Sequence, residues 1–150
     1  MAEYLANAEQ LVALNSPILF DASIPCNRGN VYHNDGTGIF ILKGNTNNCF
    51  ARYQVTFNAN IAIPTGGAIS AIAVAISENG ETRPTSTAIF TPTAVEVEGN
   101  VTSTAIITVP RGCCFNVAVR YVDATVENAA VAPTPTIEVQ NANLVINRIA

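Results

Sequence analysis

A chain of 150 residues with 49% hydrophobic and only 12% charged side chains has the size of one globular domain and about half the usual charged share of roughly 25%. Intrinsic disorder is excluded, because disordered chains are poor in apolar residues and rich in charge. Seven basic residues, eleven acidic residues and one histidine give a net charge of −4. That inventory lacks the clustered Lys and Arg that a nucleic acid requires, leaves few groups for acid–base chemistry, and points to no cofactor.

The chain begins Met1-Ala2-Glu3-Tyr4, without the basic and apolar regions of a secretory signal. No window approaches the roughly 18 apolar residues of a membrane span. Synthesis in the cytoplasm, with no membrane partner, is the expectation. Over Ala2 to Leu14, Leu5, Ala8 and Val12 fit a helical stripe only loosely. The segment has no cap and reads equally as a strand or an arm. Residues 1–16 are therefore expected to form an N-terminal arm ahead of a domain over 17–150.

From residue 17 onward the chain reads as β. Pro17 to Asp21 and Gly38 to Gly44 are short apolar runs. Between Cys49 and Ile63, Tyr53, Val55, Phe57, Ala59 and Ile61 alternate with Arg52, Gln54, Thr56, Asn58 and Asn60, the period of a strand with one buried face. Pro64-Thr65-Gly66-Gly67 ends it with a strong turn signal. Ile69 to Ile76 is apolar on both faces, so it is either sandwiched or at a subunit contact. Asn79-Gly80 then predicts a type I′ hairpin. Thr87 to Phe90, Val95 to Glu98 and Val101 to Val109 follow, and Pro110-Arg111-Gly112 is a further turn. Cys113 to Val122 alternates with Phe115, Val117, Val119 and Tyr121 on one face. Asp123 to Pro135 reads as a loop, and Ile137 to Ile149 as a last alternating strand. About eight to ten strands separated by turns predict an all-β antiparallel sandwich or barrel.

Few residues offer chemistry. Cys26, Cys49, Cys113 and Cys114 contain no CxxC pair, and with one histidine they match no zinc spacing. They are expected to be buried small hydrophobes, with a disulfide from Cys26 to one of the adjacent pair as the alternative. His33, near Asp35, reads as a solvated loop residue, and Asn34 to Gly38 as a turn that lacks the ligands of a calcium loop. Glu96 and Glu98 are expected to share one face of a strand, as a solvated edge rather than a glycosidase pair. No nucleophile elbow or phosphate loop is present. Catalytic, cofactor-binding and metal residues are accordingly assigned to none.

Several segments resemble the C1q/TNF-like jelly roll. These are Gly38 to Ile41 followed by Cys49 to Phe57, Ala73 to Gly80 with its Asn-Gly turn, Ile106 to Val117 with its basic-Gly turn, and Asn141 to Ile149 as a terminal strand. The resemblance covers residues 17–150 and is similar in order and spacing to small C1q-like surface proteins of Firmicutes and their phages. It implies a homotrimer. Independently, Thr, Asn, Ser and Ala fill the outward strand positions where a monomer would show Lys and Glu, as interface cores are depleted of charge. Strands 49–61 and 137–149 are expected to supply the inter-subunit core, with Phe50, Tyr53, Phe57, Phe115, Tyr121, Leu144 and Ile146 as packing anchors.

The chain lacks a collagen-like stalk. The resemblance then implies a non-enzymatic structural component, a capsid decoration or head-fibre protein on a phage or virus-like particle, anchored through residues 1–16. The alternative is a carbohydrate- or receptor-binding head on a phage, spore or cell surface, using loops 27–37 and 123–135.

Overall fold

The computed structural model describes residues 1–24, 29–124 and 134–150, and the strands among them form two antiparallel sheets. The first sheet is built on β6 (Phe50–Ala62), which lies between β10 (Gly99–Pro110) and β12 (Thr136–Arg148). Beyond β12 come β1 (Ala2–Ala6), β2 (Gln10–Ala13) and β3 (Ala22–Ile24). The second sheet runs β4 (Val31–His33), β5 (Phe40–Lys43), β11 (Cys114–Val122), β7 (Ile72–Glu78), β8 (Glu81–Thr82), with β9 (Ala88–Phe90) also on β7.

The alternating sequences dictate which side of each strand is covered. Tyr53, Val55, Phe57 and Ile61 from β6, Ile107 and Val109 from β10, and Leu144 and Ile146 from β12 face Phe40, Leu42, Val74, Ile76, Val119 and Tyr121 from the opposite sheet. Two phenols are buried with partners. Tyr53 Oη donates to the Lys43 carbonyl at 2.5 Å, and Tyr121 Oη to that of Thr134 at 2.6 Å. Desolvation pushes both phenols above their ordinary range, so they remain donors at any physiological pH. Of the run Ile69 to Ile76, Ile72 to Ile76 is sandwiched within one chain while Ile69 is 49% exposed: Ile72, Val74 and Ile76 enter the main core, and Ala73 and Ala75 join Val122 and Ala124 in a small cluster on the other side. Asn79 and Gly80 both take positive φ, 51° and 85°, as a type I′ turn requires.

Residues 1–16 do not stand apart as an arm. β1 pairs with β12 from Ala2↔Ile146 to Ala6↔Ala142, and β2 continues along the same edge from Gln10↔Val139 to Ala13↔Thr136. The two are one interrupted strand, broken opposite the irregularity between Gln140 and Asn143, where Asn141 has φ 53°. Ala2, Tyr4, Ala6 and Val12 point inward and are buried. Asn15, at φ 65°, then turns the chain toward the second sheet, donating to the Tyr121 carbonyl at 2.8 Å.

Cysteine burial is also corrected. Cys49, Cys113 and Cys114 are free and exposed, because they sit in the turns and frayed strand start at one end of the sandwich. Cys26, and with it the proposed disulfide, lies outside the described residues.

Because the N-terminal strand covers the edge of β12, removing residues 1–13 should yield an unfolded or aggregating chain rather than a folded domain. Tyr4→Ala should cost about 3–5 kcal/mol, lowering the melting temperature by roughly 6–20 °C, measured by circular dichroism.

Candidate functional site

The outward side of β10, β6 and β12 is uncharged along its middle, between Arg52 near one end of β6 and Glu138 near the other end of β12. Alternation that buries Tyr53, Val55 and Phe57 sends Gln54, Thr56, Asn58 and Asn60 outward. On β10 it sends Asn100, Thr102, Thr104, Ile106 and Thr108 the same way. Their polar groups largely satisfy one another. Asn100 Nδ2 donates to Asn58 Oδ1 at 2.7 Å and to Asn60 Oδ1 at 3.2 Å. Thr56 and Thr104 hydroxyls meet at 3.3 Å. On the β12 side, Asn60 Nδ2 donates to Asn141 Oδ1 at 3.4 Å. A face whose amides already have partners loses less on leaving water than one whose amides depend on solvent.

The expected packing anchors divide between the two sides of these strands. Tyr53, Phe57, Tyr121, Leu144 and Ile146 are 0–1% exposed within a single chain, so they form the domain's own core and cannot touch a neighbour. The strands expected to meet a neighbour can do so only with their opposite faces. Phe50 is 38% exposed and lies under the Arg52 guanidinium at 4.8 Å. Phe115 is half-buried beside Glu78 and Arg83.

The two ends of the sandwich differ in charge. At one end, the turn 44–48 and the turn at Arg111-Gly112 flank an open cleft of 670 Å³, completed by Arg148. The turns are stitched together by backbone bonds. Gly44 donates to the Cys113 carbonyl at 2.8 Å, Gly112 to Gly44 at 3.1 Å, and Arg111 to Cys49 at 2.9 Å. A side chain on Gly44 would place its Cβ 2.1 Å from the Pro110 carbonyl oxygen, so only glycine allows the turns this close. In sequence, Gly44 only closes an apolar run and Pro110-Arg111-Gly112 only marks a turn, more than 60 residues apart. Their juxtaposition needs the long-range pairing of β10 with β6 and of β11 with β5.

Glu9, Glu96, Glu98 and Glu138 gather at the other end. Glu96 and Glu98 do not share a strand face, since Glu96 occupies a turn at φ 61°. Its carboxylate accepts the Thr65 hydroxyl at 2.6 Å and the Thr65 amide at 2.7 Å, tying it to the turn after β6. These two bonds hold its carboxyl below the usual range. Glu138 shifts the opposite way, raised by burial and then by the neighbouring carboxylates of Glu9, Glu96 and Glu98.

His33 is not a solvated loop residue. It belongs to β4, and its ring stacks on Phe40 at 4.1 Å. Nδ1 lies 3.1 Å from the Ile39 carbonyl and Nε2 3.2 Å from that of Phe20, so its polar atoms are spent on the backbone. Among the described residues no three His, Cys, Asp or Glu side chains group as metal ligands. Most of loop 123–135, and residues 27 and 28 of loop 27–37, lie outside the described residues.

No protein-family model matches the chain, and no curated protein matches it in sequence. Solved structures match over nearly its whole length. The globular domain of zebrafish complement 1qA protein superposes with TM-score 0.59 at 15% identity, covering 96% of this chain and 94% of that one. Eiger TNF from S. frugiperda gives TM-score 0.63 at 11% identity, covering 100% and 92%. This chain has the C1q/TNF-like jelly-roll fold. In that jelly roll the uncharged patch lies along the middle of one sheet, from Gln54 to Asn60 on β6 and across to β10, while charged residues lie toward the strand ends.

The acidic end generates a pH prediction. Glu138 has a raised folded-state pKa, so its ionisation destabilises the fold as pH rises through the carboxylate range. Glu138→Gln should therefore raise the melting temperature by about 1–2 °C at pH 7. The gain should vanish at acid pH, where Glu138 is protonated; melting curves between pH 3 and 8 test it.

Proposed function

We propose that this jelly roll is a non-enzymatic binding head that works as a homotrimer, with copies meeting through the outward face of β10, β6 and β12. The carrying observation is that face: the exposed side of the central β6 from Gln54 to Asn60 holds only amides and a hydroxyl, and its β10 neighbours are Asn, Thr and Ile. A solvated sheet face normally carries Lys and Glu, whereas the core of an interface is depleted of charge. The hydrogen bonds among Asn58, Asn60 and Asn100 lower the cost of burying it. The jelly-roll resemblance supports the same assembly.

Such a trimer suits display on a particle surface, with a phage virion as the setting that the sequence resemblance favours and a bacterial spore or cell surface as the alternative. Attachment to a capsid through residues 1–16 is not part of this reading, because those residues are consumed by the sheet. The Arg-lined cleft at one end favours ligand binding by the head over a purely structural decoration.

Light scattering at micromolar concentration should return a mass of three chains of 15.8 kDa; a single-chain mass would reject the assembly. Thr56→Arg places an unpaired charge in the centre of the face. It should weaken association roughly 100-fold or more, giving a folded monomer with an unchanged circular dichroism spectrum.

A further inference from the structure

The geometry points to an acidic saccharide, a sugar bearing a carboxylate or sulfate, as the ligand of the cleft between the turns at 44–48 and 111–112. This deepens the reading of the chain as a binding head and rests on it.

The charge of the site comes first. Segments 43–53, 106–116 and 144–150 converge at this end and hold Lys43, Arg52, Arg111 and Arg148; Glu3 pairs beside them with Val145, and Glu78, Glu81 and Arg83 lie beside Val117, which leaves the bases in excess. That is a local excess of positive charge in a chain whose net charge is −4. Two of these arginines line the cleft, and no described lining residue carries a carboxylate. Arg148 is braced from behind: Nη1 donates to Asn30 Oδ1 at 3.1 Å and Nε to the Ala150 carbonyl at 3.2 Å. The Arg111 side chain has no hydrogen bond or ion pair among the described residues. One held guanidinium and one uncommitted guanidinium make a receptor for an oxyanion, since such charge-assisted pairs are the strong ones.

The rest of the lining selects what carries the anion. Asn45, Thr46, Asn47 and Asn48 form one wall, and Asn48 N–H donates to Thr46 Oγ1 at 3.1 Å. Amides and hydroxyls both donate and accept, which matches sugar hydroxyls that do the same. At 670 Å³ the cleft is far larger than a bare sulfate needs and lies within the range of small-molecule sites. Its floor is preorganised by the three inter-turn backbone bonds and by the close approach at Gly44, so little ordering is required on binding.

Isothermal titration of the full chain with glucuronic acid, N-acetylneuraminic acid, a sulfated disaccharide, neutral N-acetylglucosamine and inorganic sulfate tests this. At least one acidic sugar should bind about tenfold more tightly than both the neutral sugar and inorganic sulfate. Binding should weaken with added salt. Arg111→Ala should reduce it about tenfold, with Arg111→Lys in between, while melting temperature and native mass stay unchanged. The proposal is overturned if neutral and acidic sugars bind alike, if inorganic sulfate binds as tightly as the sugars, if Arg111→Ala has no effect, or if none of the probes binds. Light scattering on the same sample separates the two readings. A trimer that ignores every probe removes the ligand class but not the assembly, and a monomer that binds acidic sugars removes the assembly but not the ligand class.

Discussion

The structure depends on one constraint, the register of β6 between β10 and β12. Twelve consecutive residue pairs, from Gly99↔Ile61 to Pro110↔Phe50, lock β6 to β10. On the other side β12 is locked in two blocks around a bulge. Because side chains alternate, that register decides two surfaces at once. It sends Tyr53, Val55, Phe57 and Ile61 into the core and Gln54, Thr56, Asn58 and Asn60 outward. A slip of one residue would bury four polar side chains and expose four apolar ones. The core thus enforces the layout of the polar face, and mutations in one are felt in the other.

The same strands carry charge from end to end. β6 begins at the basic end and finishes beside the acids, while β10 and β12 run the opposite way. Lys43, Arg52, Arg111 and Arg148 therefore sit some dozen residues along the strands from Glu96, Glu98 and Glu138. At about 3.3 Å per residue, that separation is several Debye lengths at physiological ionic strength. Solvent screens the two ends from each other, so each keeps its own local field despite the small net charge.

How much of this was legible in the sequence follows from which residues carried the signal. The long strands were readable because Tyr53 to Ile61 and Val117 to Tyr121 alternate cleanly, and their turns are marked by Asn79-Gly80 and Arg111-Gly112. β1 and β2 were obscure because their largest aliphatic residues point the wrong way. Leu5 lies on the outward side, and Leu11 is 65% exposed, while small Ala2 and Ala6 face inward. A stripe drawn through Leu5 and Val12 therefore looked helical. Glu96 was misread because alternation with Val95 and Val97 mimics a strand, whereas its bonds to Thr65 hold it in a left-handed turn. The anchors were found as apolar residues, and Tyr53, Phe57, Tyr121, Leu144 and Ile146 lie in the core of the single chain; periodicity shows that a face is buried, not what buries it. The cleft was illegible because residue 44 meets residues 112 and 113 only after both sheets have formed.

Assembly and binding are coupled by symmetry. Under the proposed cyclic trimer, a rotation about one axis relates the three copies, and rotation leaves height along that axis unchanged. All three arginine-lined clefts then lie at one level, whatever the tilt of the strands. A single open cleft with two guanidiniums gives only modest affinity, as shallow polar sites do. Three at one level, offered to a surface that repeats the same acidic sugar, convert the second and third contacts into intramolecular events and can raise avidity by about 10²–10⁴. The uncharged face would then serve binding without touching ligand, because it fixes the spacing at which three weak contacts are made together.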